Sequence, residues 1–131
     1  MGTLRTRLVR FLVAWLAAAG VGLACAGQVA YDEARFDASL AQRGGFVVAL
    51  VADWCTTCSR QQVVVTELLE EPRFRGLTLF VAEFDREPRL RQRLRVALQG
   101  TFVVFKDGRE VARSTGLTDK AALAALFARA L

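Results

Sequence analysis

The stretch "FVVALVA" (46–52) is unbroken apolar sequence rich in β-branched residues. It is short, with glycines before it and Asp53 after it, and this predicts a strand buried on both faces. Before it, "YDEARFDASLAQRGG" (31–45) places Phe36 and Leu40 at i and i+4, with Tyr31 and Ala34 nearby, and ends on Gly44-Gly45. That spacing predicts a short amphipathic helix stopped by glycine. After it, "TTCSRQQVVVTELLEE" runs from Thr56 with no Gly or Pro until Pro72. Val63, Val64, Glu67, Leu68 and Leu69 there suggest a helical stripe. "LTLFVAEFD" (77–85) predicts a second strand, and "PRLRQRLRVAL" (88–98) a helix with Leu90, Leu94 and Ala97 or Leu98 in step. "TFVVFKDGREVAR" sets two β-rich arms around Asp107-Gly108, a strong hairpin signal. "TDKAALAALFARAL" closes as a helix, with Thr118 as N-cap and Leu123, Leu126 and Phe127 facing inward. The predicted order is α-β-α-β-α-β-β-α. It implies an α/β fold: a central mixed sheet of about four strands flanked by helices on both faces.

The N-terminus follows other rules. Arg5, Arg7 and Arg10 precede an uncharged run, Phe11 to Gly27, and Ala24 and Ala26 stand at −3 and −1 of an A-x-A pattern. Residues 1–26 read as a secretory signal peptide, leaving a single domain over 27–131. The alternative is a membrane anchor in residues 11–27, although roughly 17 residues fall short of a comfortable span. Cys25 poorly fits a lipid-acceptor pattern, because Gly22 rather than Leu23 lies three residues before it. The predicted localisation is thus periplasmic or otherwise extracytoplasmic.

Loss of the leader changes the charge. The 131-residue chain has 18 Lys+Arg against 13 Asp+Glu; removing three arginines leaves 15 against 13, a net charge of +2 in place of +5. The remaining basic residues are dispersed without interleaved aromatics, so no nucleic-acid footprint is present. The densest run, "REPRLRQRLR" (86–95), reads as a solvated helix face.

With Cys25 in the leader, Cys55 and Cys58 are the only thiols of the domain. They fall where the buried strand gives way to a helix. Residues i and i+3 share a helix face, so the sulfurs can meet. Cys55 at the helix start lies where free N–H groups and the dipole favour an anion, and the thiolate is the nucleophile. Cys58, one turn in, is expected to be more shielded. Cys55 would attack a disulfide and Cys58 would resolve the mixed disulfide, while Trp54 offers a flat apolar surface to a partner. Half of a zinc site is the competing reading, but the chain has no histidine and no second C-x-x-C. A structural staple over so short a loop would constrain little unfolded-state entropy.

"VADWCTTC", "FDRE" and "TFVVFKDGREV", spread over about residues 30 to 131, together resemble the thioredoxin superfamily. The A-D-W-C-x-x-C form is similar to exported members such as the periplasmic C-terminal domain of the DsbD reductase. The resemblance implies a thioredoxin-like fold, with Cys55 as attacking and Cys58 as resolving cysteine. Two departures stand out. The family's cis-proline, before the threonine that opens the late hairpin, is here Gly100, followed by Thr101. That pair would border the docked substrate, and glycine tolerates unusual backbone geometry but does not favour a cis bond. The family's buried acid, six residues before the first cysteine, is here Ala49. Glu83 on the neighbouring strand is a candidate interior acid, with a solvated carboxylate at the strand end as the equal alternative.

These features predict an exported thiol–disulfide oxidoreductase acting on protein thiols and disulfides. The cysteine pair carries the electrons without a cofactor or bound metal, and a membrane-embedded electron donor or acceptor serves as partner. The alternative is a binding module whose two thiolates hold Cu(I).

Overall fold

A computed structural model of the chain describes residues 27–131. The leader, the alternative anchor and Cys25 lie outside the described residues. The elements are β1 (Gly27–Ala30), α1 (Glu33–Ala41), β2 (Gly45–Val51), α2 (Thr56–Glu70), a 3-10 turn (Pro72–Phe74), β3 (Thr78–Glu83), α3 (Pro88–Leu94), β4 (Thr101–Lys106), β5 (Arg109–Thr115) and α4 (Lys120–Ala128). The strands form one sheet in the order β1-β3-β2-β4-β5. β3 pairs in parallel with β1 and with β2, while β4 runs antiparallel to both β2 and β5.

The continuous apolar run is the central strand. Phe46 to Leu50 of β2 are all buried. Alternation sends Phe46, Val48 and Leu50 to one face, against Phe36 of α1 and Leu90 of α3. Val47 and Ala49 face the other way, with Val65 and Leu68 of α2 and Leu123 and Phe127 of α4. The first core is aromatic: Phe36 meets the rings of Phe46 and Phe105 edge-on, with centroids 5.7 Å away in each case. Each fully buried phenylalanine contributes about 1.5–3 kcal/mol relative to exposure. The late hairpin turns at Asp107 and Gly108, with φ of 50° and 78°. Positive φ at both central positions is the two-residue turn that matches strand twist.

Several details depart from the sequence reading. The sheet has five strands because β1, only four residues long, pairs with β3 from Gly27 to Ala30. α3 stops at Leu94, where Arg95 takes a left-handed conformation as its C-cap, so Leu98 is exposed rather than in the helix. α4 is capped by Asp119 rather than Thr118: an Asp119 carboxylate oxygen accepts from the Ala122 N–H at 2.8 Å. Leu123 and Phe127 are fully buried, and Leu126 is half-buried. The inward face of α2 is Cys58, Gln61, Val65 and Leu68, whereas Val63 is exposed. Among the described residues, no helix is long and apolar enough to cross a membrane.

Candidate active site

β2 ends at Val51, and a tight turn through Ala52, Asp53 and Trp54 delivers Cys55 to the start of α2. The Cys55 N–H donates to the Ala52 carbonyl at 3.1 Å, fixing the turn. Cys55 is the N-cap of α2, and its sulfur accepts the Cys58 N–H at 3.0 Å. A cap normally offers a hydroxyl or carboxylate oxygen; here the sulfur takes that place. Cys55 and Cys58 form a disulfide, with Cα atoms 5.2 Å apart. The first turn of α2 carries no carboxylate, so nothing negative competes with a sulfur anion for its N–H groups. The extra shielding expected for Cys58 is absent in the disulfide: the two cysteines are 5% and 6% exposed. Both belong to the α1/α3 core cluster and are held by packing as well as by the helix.

Trp54 is 64% exposed beside the disulfide. Its indole N–H donates to Asp85 at 2.8 Å, so the loop after β3 holds a ring that would otherwise swing freely. Sequence reading missed Asp85; "FDRE" marked the stretch but not the partner 31 residues away.

Gly100 lies against Cys58. Its φ is +71°, and every peptide bond of the described residues is trans. Its N–H donates to the Leu50 carbonyl at 2.7 Å, and its carbonyl accepts from the Gly116 N–H at 2.9 Å. A side-chain carbon here would lie 3.3 Å from Gln61 Oε1 and 3.7 Å from the Cys58 sulfur. The positive φ favours glycine, and an added carbon would crowd Gln61. Thr101 is buried at the head of β4, its hydroxyl within 2.7 Å of both the Leu98 carbonyl and the Thr115 hydroxyl.

Ala49 lines a small cavity of about 10 Å³ together with Cys58, Gln61, Val65 and Phe102. Glu83 is not among the residues lining it. Glu83 ends β3, partly buried and in register with Val51, and its carbonyl accepts from Arg86 and Glu87. Gln61 is the polar residue that sequence reading missed. It is 2% exposed, and its amide nitrogen donates at 3.0 Å to both the Gly100 and Leu117 carbonyls. A helical stripe drawn from Cys58, rather than from the valine run, would have placed it inward. Among the described residues no group of three or more metal-ligating side chains comes together.

Comparison with known proteins gives one consistent result. The family model described as Thioredoxin matches residues 28–129. A thioredoxin of Chlamydia muridarum is 34% identical over 86 residues, covering 66% of this chain and 82% of that protein. The crystal structure of Trxlp from Edwardsiella tarda superposes with a TM-score of 0.73 at 34% identity, covering 76% of this chain and 96% of that one. A thioredoxin of Malassezia sympodialis, 21% identical, shares the fold with a TM-score of 0.70 over 80% of this chain and 93% of that one.

Proposed function

The chain belongs to the thioredoxin family and is a thiol–disulfide oxidoreductase; from that premise we propose that it works outside the cytoplasm, exchanging electrons with protein thiols through Cys55 and Cys58. The family works through a redox-active disulfide and needs no cofactor. The observation that carries the proposed roles is the N-cap geometry, in which the Cys55 sulfur already accepts the Cys58 N–H.

In the reduced protein that N–H and the helix dipole favour a Cys55 thiolate. Cys55 is the attacking sulfur, and Cys58, one turn along and against Gly100, resolves the mixed disulfide. Trp54, braced by Asp85, forms an apolar wall for the incoming protein. Gly100 and Thr101 border the site from the head of β4. Glu83 is given no role in this reading, since it does not line the cavity next to Cys58. Export rests on the basic start, the apolar run from Phe11 and the Ala24/Ala26 pattern. Residues 27–131 are then the working domain, and a membrane-embedded electron donor or acceptor is its redox partner.

Insulin reduction with dithiothreitol tests the activity. The wild-type protein is expected to turn over, and Cys55→Ser to abolish turnover. A Cys55→Ser variant that keeps wild-type turnover would overturn the roles. Trapping mixed disulfides in cells with Cys58→Ser identifies the partner and its compartment. Anaerobic Cu(I) titration separates this reading from a thiolate metal-binding module: tight one-to-one capture without insulin turnover would favour the module.

A further inference from the structure

We propose that the side-chain oxygen of Gln61 is the acceptor for the Cys58 thiol proton in the reduced protein, and that this contact biases the chain toward its dithiol form. The inference rests on the oxidoreductase reading and assigns a positioning residue to it.

Gln61 follows Cys58 by three residues on the inward face of α2. Its amide has two N–H bonds, and both are spent, on the carbonyls of Gly100 and Leu117. Turning the amide over would set its oxygen against two carbonyl oxygens, so the partners fix which end is which. Oε1 is thereby aimed away from both carbonyls. It is buried and has no hydrogen-bond partner among the described residues. Buried acceptors ordinarily have a partner, and leaving one unpaired is unfavourable.

The donor we assign to it is the Cys58 thiol. A carbon added to Gly100 would touch both Gln61 Oε1 and the Cys58 sulfur, so the two atoms lie over the same bare face of that glycine. Cys58 and Gln61 also line one cavity of about 10 Å³, the size of about one water. The other polar side chains at its rim are already engaged with each other: Gln62 donates to Gln28 at 2.9 Å. No carboxylate or basic group lines the cavity. The disulfide has no S–H to offer, but the dithiol does. The Cys58 S–H can therefore donate directly to Oε1 only in the reduced protein.

The chemistry balances as follows. The Cys55 thiolate attacks one sulfur of a substrate disulfide; that bond breaks, and the departing thiolate takes a proton from water. Cys58 keeps its proton, held against Gln61. Cys58 then attacks the Cys55 sulfur, and its proton passes to the second departing substrate thiolate. The Cys55–Cys58 bond closes, two electrons have moved to the substrate, and Oε1 has lost its donor. In the oxidised form Oε1 has no protein donor among the described residues. Gln61 therefore favours reduction of the pair, which makes the protein a weaker reductant than it would be with an apolar residue there.

The test is the dithiol–disulfide equilibrium of the full chain against glutathione, for the wild type and for Gln61→Met, which keeps the length but has no amide. Gln61→Met is expected to raise the equilibrium constant for disulfide formation by about threefold to tenfold, which is about 15 to 30 mV toward a more negative potential. An unchanged constant, or a shift the other way, overturns the proposal. Should the variant not fold, the wild type decides: the Gln61 carboxamide carbon resonance is expected to move downfield on reduction, and a resonance indifferent to redox state overturns the proposal. Insulin turnover is measured alongside. A wild type that turns over while Gln61→Met leaves the constant unchanged overturns this inference alone. A wild type that fails to turn over yet shows the Gln61-dependent shift overturns the activity and supports the hydrogen bond.

Discussion

Replacing Gly100 tests the floor of the site most directly. In Gly100→Ala the backbone keeps a φ of +71°, a left-handed conformation that costs an L-residue roughly 1–2 kcal/mol. The new methyl sits 3.3 Å from Gln61 Oε1 and 3.7 Å from the Cys58 sulfur, so Gln61 must yield by a few tenths of an ångström. Its two bonds, to the Gly100 and Leu117 carbonyls, loosen as it does, and a typical one contributes about 1 kcal/mol net. The sum is roughly 2 kcal/mol of lost stability. For a domain of about 100 residues that lowers Tm by roughly 8–16 °C. Gly100→Pro should cost more, although proline is what the family usually carries here. The ring fixes φ near −65° and removes the N–H that donates to Leu50 at 2.7 Å, leaving a buried carbonyl unpaired. Thermal melts of the oxidised proteins, followed by circular dichroism, give the answer. An alanine variant within about 3 °C of wild type, or a proline variant as stable as wild type, would refute the reasoning.

Two further changes probe single contacts. Asp119→Ala should cost about 1 kcal/mol by removing the α4 cap, whereas Thr118→Ala should stay within about 0.5 kcal/mol; urea midpoints compare them, and equal losses would restore Thr118 as the cap. Asp85→Ala frees the Trp54 indole N–H, and because the bond is exposed the stability loss should not exceed about 1 kcal/mol. Its effect should be seen in KM for a protein disulfide, with kcat little changed; an unaltered KM would remove Trp54 from substrate contact.

Local pattern was enough to read β2, the β4–β5 hairpin and the cysteine pair at a helix start, because in each the cause lies within a few residues. The buried run of β2 is apolar at every position from Phe46 to Leu50, and Asp107-Gly108 sets its own turn. β1 was not legible: four residues with exposed Gln28 and Ala30 become a strand only because β3 lies beside them. The α2 stripe was ambiguous, since Val63, Val64 and Val65 are adjacent and cover most of the helix circumference. Packing against α4 and β2 selects Val65 and leaves Val63 in solvent. Gln61 and Asp85 are polar residues whose importance comes from partners 39, 56 and 31 positions distant. Thr118 and Asp119 are both good caps by composition, and one residue of register decided between them.

β2 supplies both cores at once, Phe46, Val48 and Leu50 to one and Val47 and Ala49 to the other. Loss of that strand would open both hydrophobic clusters together. The two halves are thus coupled through a single backbone, which makes unfolding all-or-none and puts the slowest amide exchange at the strand leading into Cys55. A disulfide mounted at the end of the last segment to open can be broken and remade while the molecule around it stays folded.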